Sequence, residues 1–204
     1  MDKTIKNLII DFGGVLINLN RSRCIETFKR LGFTDLERFI DPYHQQGIFM
    51  MLEKGELTPG MFRDEIRKMA GMQLADEEIN EAWNSFLMDI PGYKLELLLR
   101  LRQKYHVYLL SNTNDIHWEW ACNHCFNWKG FGIDDYFDAI FLSCRLGLVK
   151  PGEAIFHTLL GKTGIDPKET FFIDDAEANC VTARKLGIKT YMPLPGEDWG
   201  HLFD

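Results

Sequence analysis

The chain has 204 residues, enough for one core plus a small accessory module, and its 46% hydrophobic and 26% charged residues are ordinary for a globular protein. The formal net charge of −7 argues against nucleic acid as the main partner. No apolar run approaches the roughly 18 residues of a membrane span, and the five sparsely spread cysteines indicate reduced thiols, so we expect a cytoplasmic protein without membrane contact.

The first predicted strand covers Asn7–Asp11, a short apolar run that ends in an acid. Residues Met1–Lys6 lead into it without a cleavable signal pattern, and Gly13 and Gly14 follow it, which predicts a tight turn. From about Arg21 to Asp89, apolar residues recur at helical spacing, and no convincing strand interrupts them. This stretch predicts a small all-helical module.

After the module, predicted strands and helices alternate. The strands are His106–Leu110, Ala139–Leu142, Thr170–Ile173 and Ile188–Tyr191, and the helices are Leu95–Gln103, one from about Asp115, Glu153–Leu160 and Ala176–Leu186. Such alternation predicts a parallel sheet with helices on both faces. The predicted fold is therefore α/β, a Rossmann-like sheet with a helical module inserted after the first strand. We place the core at residues 1–17 and 90–204 and the module at 18–89.

Polar residues stand where the predicted strands end, and the ligand crevice of a parallel sheet lies at that edge. They are Asp11, Ser111, Asn112, Asp174 and Asp175, with Lys150 in a turn between the third strand and the next helix. Carboxylates brought together in this way are costly without a cation. A divalent metal with oxygen ligands removes that cost, and Mg²⁺ suits such a hard site.

Two of these segments are also predicted to begin helices. We expect Ser111 and Asn112 to open one helix, and Pro151 to be the first residue of another, directly after Lys150. A helix N-terminus offers free N–H groups to an anion, whereas a cation there opposes the helix dipole. The pattern therefore favours an anion held between Lys150 and the helix ends.

Four ordered segments resemble the motifs of the haloacid dehalogenase superfamily. They are Asp11–Leu16, Ser111–Thr113, Lys150–Pro151 and Phe172–Asp175. The resemblance extends over essentially the whole chain, and the helical module resembles the C1 cap of that superfamily. It implies a magnesium-dependent phosphatase that acts on a small phosphorylated metabolite, with Asp11 as the nucleophile that forms an aspartyl-phosphate.

The same resemblance implies roles for the other residues. Ser111 and the backbone of Asn112 would bind phosphate, and Lys150 would pair with it. The metal ligands would be Asp11, the backbone carbonyl of Gly13 and Asp175, oriented by Asp174 and Asn179.

The sequence departs from the family pattern at Gly13, where an aspartate normally acts as general acid and base. Three outcomes are open: a leaving group that needs little help, a substitute residue in the cap, or loss of catalysis. His44 and Glu53 are the cap candidates for proton transfer. A subgroup that acts on sugar 1-phosphates is similar at the Asp-x-Gly-x-Val start, at Ser111–Asn114 and at Asp174–Asn179, so we expect a sugar phosphate, such as a sugar 1-phosphate.

Three other functions stay open. The first is a phosphotransferase or mutase on the same scaffold, against which the lack of an acid or base at position 13 argues. A true haloacid dehalogenase needs no magnesium, which would leave Asp174 and Asp175 without a counterion. A catalytically inactive phosphate-binding module would not need its nucleophile. The segment 117–128 contains Cys122 and Cys125 as well as tryptophans, and we favour core packing over a zinc site or an interface there. We expect a monomer or a homodimer.

Overall fold

The structure is a computed structural model that describes residues 2–33, 36–40 and 45–203. Its centre is a five-stranded parallel sheet with the strand order β3-β2-β1-β4-β5. The strands are β1 Asn7–Ile10, β2 His106–Ser111, β3 Ala139–Leu142, β4 Thr170–Ile173 and β5 Lys189–Tyr191. The predicted α/β fold with a parallel sheet is therefore confirmed.

Helices surround this sheet and fill the long connection after β1. Between β1 and β2 lie α1 Arg21–Arg30, α2 Gly47–Glu53, α3 Pro59–Ala70, α4 Asp76–Asn84 and α5 Gly92–Leu101. After β2 come α6 Asp115–His124, α7 Ile133–Tyr136, α8 Ser143–Leu146, α9 Glu153–Thr163 and α10 Glu177–Lys185. None of the helices in the described ranges is long and apolar enough to cross a membrane.

The central strand β1 is buried along its whole length because helices cover both faces of the sheet. Leu8 and Ile10 join a large hydrophobic cluster that reaches into the helical module, and Ile9 joins a second cluster with Phe156 and Phe172 on the other face. Strands buried on both faces read as continuous apolar runs. The buried strand thus fixes the position of Asp11, the residue that follows β1.

Aromatic side chains form the interior of the helical module. The ring of Phe49 lies 4.8 Å from that of Trp83 and 5.3 Å from that of Phe62, measured between centroids. Thr58 caps the start of α3 by accepting a hydrogen bond from the backbone of Met61. The spacing of these apolar positions on helical faces explains why the sequence predicts helices throughout this segment.

The chain enters and leaves the module through two segments that bond to each other. The backbone N–H of Asn18 donates to the carbonyl of Asp89 at 3.1 Å, and that of Met88 donates to the carbonyl of Asn18 at 2.9 Å. Asn20 and Phe86 are joined in the same way at 2.8 Å. The chain thus enters the module near Asn18 and leaves it near Asp89, which are the limits expected from the sequence. We therefore propose residues 18–89 as the inserted unit.

The helices predicted from about Asp115 and from Glu153 begin where expected. The placement of Ser111, Asn112 and Pro151 as the openings of these helices is wrong. Ser111 ends β2 and Asn112 lies in a turn, because α6 begins at Asp115 with Asn114 as its cap. Pro151 is not the first helical residue either, since α9 begins at Glu153. The turns before both helices are instead bonded to each other, as the site geometry shows.

Candidate active site

Three carboxylates meet at the carboxyl ends of β1 and β4. Asp11 directly follows β1, and Asp174 and Asp175 directly follow β4. The two strands are neighbours, with Ile10 opposite Ile173, and the backbone N–H of Asp11 donates to the carbonyl of Ile173 at 2.9 Å. One oxygen from each carboxylate lies within 4.8 Å of the others. The structure thus brings together the acids that the sequence placed at strand ends.

Lys150 lies between two of these acids. Its Nζ is 2.8 Å from Oδ1 of Asp11 and 2.6 Å from Oδ2 of Asp174, and it also donates to the carbonyl of Leu110 at 3.0 Å. The side chain is 1% exposed. Burial alone would lower the pKa of Lys150, but the carboxylates of Asp11 and Asp174 outweigh it and raise that pKa, so the residue remains an ammonium ion.

The side chain of Asn112 fixes the turn that carries this lysine. Asn112 Nδ2 donates to the carbonyl of Lys150 at 2.9 Å, and the N–H of Lys150 donates to Asn112 Oδ1 at 2.8 Å. This paired contact ties the loop after β2 to the loop before α9. It also explains why Asn112 does not begin a helix. Ser111 is buried beside it, with its hydroxyl 3.4 Å from the carbonyl of Asn112.

The buried carboxylates are incompletely neutralised. The pKa of Asp11 is raised to about 8, because burial and the charges of Asp174 and Asp175 together outweigh the lowering effect of Lys150. Burial, followed by the charge of Asp174, raises the pKa of Asp175 to about 6. Three acids share one ammonium group in this cluster, so the site attracts a further positive charge.

The oxygen donors present fit a hard divalent cation. Asn179 Nδ2 donates to both oxygens of Asp174, at 2.9 and 3.0 Å, while its buried Oδ1 has no protein partner. Gly14 has a φ of +73°, and a Cβ there would lie 2.1 Å from Oδ2 of Asp175. The glycine therefore lets Asp175 approach the loop after β1. Asp11, Gly13 and Asp175 line one pocket at this edge of the sheet. Carboxylate, amide and carbonyl oxygens are the ligands that Mg²⁺ prefers.

The helical module contributes Glu53 to this pocket. Glu53 is the last residue of α2 and lines the pocket together with Asp11 and Lys150. Burial, followed by the charge of Asp11, raises the pKa of Glu53 to about 8. His44, the other cap candidate, lies outside the described residues, and its role stays a prediction.

His117 is a pocket residue that the sequence analysis did not assign to the site. It lines the pocket from α6, with its ring stacked on Trp83 at a centroid distance of 4.2 Å and its Nε2 3.1 Å from the carbonyl of Trp83. Burial lowers the pKa of His117 to about 3, so its ring is neutral. His117 lies in the first turn of α6, the helix that follows β2 at the carboxyl edge of the sheet, and this position is the sequence feature that points to the site.

The rest of the segment 117–128 packs mostly inward. Trp118 and Phe126 are buried and contact Phe12 at centroid distances of 5.7 and 6.1 Å, whereas Cys122 and Cys125 are partly exposed free thiols. In the described part of the chain, the group with metal-ligand spacing is the carboxylate cluster, not these cysteines. The segment positions the loop after β1 through Phe12.

Comparison with known proteins agrees with this geometry. Residues 5–187 match the family model of haloacid dehalogenase-like hydrolases. The chain is 40% identical over 195 residues to the D-ribitol-5-phosphate phosphatase of Bacteroides thetaiotaomicron, covering 96% of this chain and 95% of that protein.

Solved structures give the same result. A haloacid dehalogenase family enzyme from Bacteroides thetaiotaomicron, crystallised as an aspartate-to-alanine mutant with magnesium and inorganic phosphate, is 56% identical, with a TM-score of 0.96 and coverage of 98% of this chain and 99% of that one. A predicted hydrolase of the same type from Porphyromonas gingivalis is 38% identical, with a TM-score of 0.91 and coverage of 98% and 96%. This chain belongs to the haloacid dehalogenase-like hydrolases.

Proposed function

We propose that the protein is a magnesium-dependent phosphatase that hydrolyses a small sugar or polyol phosphate through an aspartyl-phosphate. The observation that carries this proposal is the buried cluster in which Asp11 lies 2.8 Å from Lys150 and within 4.8 Å of Asp174 and Asp175. A 56% identical structure that contains magnesium and inorganic phosphate supports it.

The proposed reaction has two steps. A carboxylate oxygen of Asp11 attacks phosphorus, the bond from phosphorus to the leaving oxygen breaks, and that oxygen takes up a proton. Water then attacks the aspartyl-phosphate, which releases inorganic phosphate and restores Asp11. Lys150 and backbone N–H groups of the loop after β2 stabilise charge on the phosphoryl oxygens.

The metal would be held by Asp11, the carbonyl of Gly13 and Asp175, with Asp174 and Asn179 supporting these ligands. When bound, it supplies positive charge that offsets the charge of the phosphoryl group. Asp174 is already fixed by Lys150 and by both hydrogen bonds from Asn179. The residues around the ligands therefore need little rearrangement when a cation binds.

For the substrate we favour a primary phosphate ester of a polyol or sugar. The 40% identical relative is named for D-ribitol 5-phosphate, which is such an ester. The alternative of a sugar 1-phosphate stays a prediction. The two differ in chemistry because a primary alkoxide is a poorer leaving group than an anomeric oxygen, and it therefore needs a proton donor.

We assign the proton transfer to Glu53. Gly13 has no side chain that could perform it, and Glu53 is an acid from the cap side that lines the pocket with Asp11. Burial keeps its pKa near 8, so that Glu53 can both give and take a proton near neutral pH. The acid missing from the loop after β1 is then replaced by one from α2.

A phosphate-release screen tests the function. Pentitol 5-phosphates, sugar 6-phosphates, sugar 1-phosphates, nucleotides and acyl phosphates would be compared with and without Mg²⁺, with Asp11→Asn as the control. We expect release that requires Mg²⁺, is fastest with primary polyol or sugar esters, and disappears in Asp11→Asn. Turnover that survives in Asp11→Asn would overturn the mechanism, and halide release from a haloacid in chelator would favour a dehalogenase.

A further inference from the structure

One buried hydroxyl group joins the helical module to the loop after β2. Ser143 is the first residue of α8 and is 0% exposed. Its Oγ accepts a hydrogen bond from the backbone N–H of Thr113 at 2.9 Å. Two carbonyl oxygens lie within reach of the same atom, that of Glu53 at 2.6 Å and that of Thr113 at 3.0 Å.

A serine hydroxyl has only one proton, so it can donate to only one of these carbonyls at a time. The shorter distance favours the carbonyl of Glu53. Glu53 is the last residue of α2, where carbonyl groups have no partner within the helix. The hydroxyl of Ser143 therefore caps a helix of the module from the core.

A second close contact lies beside the first. Gly55, two residues after α2, has a φ of +71°, and a Cβ at that position would lie 2.1 Å from the carbonyl oxygen of Cys144. The turn after α2 thus lies directly against the start of α8. Both contacts hold the end of α2 beside the pocket that Glu53 lines.

We propose that Ser143 is a positioning residue that fixes Glu53 at the pocket through its backbone and links the module to the loop that carries Thr113. The proposal rests on the proposed function, in which Glu53 transfers the proton. If the module moves away, the proton of Ser143 can turn to the carbonyl of Thr113 without leaving a buried donor unpaired. Closure then exchanges one hydrogen bond of this hydroxyl for another.

The change Ser143→Ala removes the link and leaves Glu53 in the chain. We expect kcat for a primary alkyl phosphate to fall about tenfold, which corresponds to the loss of roughly one hydrogen bond. Hydrolysis of p-nitrophenyl phosphate should change less than threefold, since its leaving group needs no proton donor. In a Glu53→Gln background, Ser143→Ala should have little further effect on the alkyl ester.

Thr170→Val is the matched control. Thr170 is also 0% exposed and its hydroxyl also donates to a backbone carbonyl, that of Asp166 at 2.7 Å, but it lies at the start of β4, at the opposite edge of the sheet. Both variants should lose similar thermal stability. Only Ser143→Ala should lose turnover of the alkyl ester.

Amide hydrogen exchange of the intact protein gives a readout that does not depend on activity. We expect faster exchange in Ser143→Ala at the Thr113 amide and in residues 54–57, and no such change in Thr170→Val. Unchanged exchange, or equal losses of turnover on alkyl and aryl esters, would overturn the proposal. If the wild type releases phosphate from no ester, the proposed function fails, and the exchange experiment still decides whether the link exists.

Discussion

Nζ of Lys150 lies 2.6 Å from Oδ2 of Asp174, and neither side chain is more than 1% exposed. Removing one partner from a buried pair leaves an uncompensated charge, which costs far more than the pair contributes when intact. Lys150 is also 2.8 Å from Asp11. The charge balance of the nucleophile therefore depends on this one ammonium group.

The first prediction concerns the stability of this pair. We expect Lys150→Met to lower the free energy of unfolding of the metal-free protein by about 3 kcal/mol, measured by urea denaturation. Lys6→Met is the control, because Lys6 also lies 2.6 Å from its partner, Glu169, but on the surface, where ion pairs contribute about 1 kcal/mol or less. If both variants lose a similar free energy of unfolding, Lys150 does not balance buried charge in the way proposed.

The second prediction concerns the metal. Asp175→Asn removes a charged ligand, so the Mg²⁺ concentration that gives half-maximal phosphate release should rise at least about tenfold. Glu177→Gln provides the comparison, since Glu177 is an acid two residues away that pairs with Arg184 at the surface. If both changes raise the Mg²⁺ requirement equally, the effect is one of general charge and not of ligation.

The third prediction concerns the pH dependence that His117 gives to folding. Because its pKa is lowered to about 3 in the folded protein, the unfolded chain binds a proton between about pH 6.5 and 3 that the folded chain does not. Stability is therefore lost as the pH falls through this window. In His117→Phe we expect lower stability at pH 7, by about 1 kcal/mol for the lost hydrogen bond, but a smaller further loss between pH 7 and 5.

His124→Phe is the control for that experiment. Its Nδ1 also contacts a backbone carbonyl, that of Trp120 at 2.8 Å, and its ring also stacks on Trp120, but the side chain is exposed. Between pH 7 and 5, the free energy of unfolding of His124→Phe should fall by as much as that of the wild type. If the free energy of unfolding of His117→Phe also falls by as much as that of the wild type, the pKa of His117 is not lowered in the folded protein.

The sequence predicts the inner strands of the sheet well because they are mostly buried. The runs at β1, β3 and β4 are short, apolar and bounded by turn residues, so strand position and the acids after β1 and β4 could be inferred together. The close approach of Asp11, Asp174 and Asp175 then follows from strand order.

Tertiary contacts of single side chains could not be inferred in that way. Asn112 bonds to the backbone of Lys150, 38 residues away, and Ser143 contacts Glu53 across 90 residues. No local pattern encodes such a pair, since an asparagine or serine in a turn has many local partners. The pairing of Asn112 with the backbone of Lys150 is also why Asn112 and Pro151 do not open the helices that begin at Asp115 and Glu153.

The fourth prediction concerns the titration of Glu53. Its pKa in the folded, metal-free protein is raised to about 8, so the folded chain holds a proton that the unfolded chain has released above about pH 4.5. Stability should therefore fall as the pH rises from about 5 to 8. Glu53→Gln cannot titrate, and its melting temperature should exceed that of the wild type by a few degrees at pH 8 and approach it at pH 5. Glu56→Gln removes an exposed acid three residues further along the chain, and it should not raise the melting temperature at pH 8.

The last prediction concerns the acid that Gly13 lacks. We expect Glu53→Gln to lower kcat for a pentitol 5-phosphate by about 10²-fold or more, and kcat for p-nitrophenyl phosphate by only a few fold, because only the alkoxide needs a proton. Steady-state kinetics with both esters measures the difference. Equal losses on the two esters would assign Glu53 to substrate binding.

Restoring an acid at position 13 separates proton transfer from other effects of Glu53. The backbone of Gly13 is not in the left-handed region, and a Cβ there would meet the nearest atom, Cδ1 of Leu19, at 3.4 Å, so the position accepts an aspartate with a small shift of that side chain. Gly13→Asp in the Glu53→Gln background should recover at least about tenfold in kcat on the alkyl ester, with little change on the aryl ester. If the double variant binds Mg²⁺ and hydrolyses the aryl ester normally but shows no recovery on the alkyl ester, then Glu53 does not replace the missing acid.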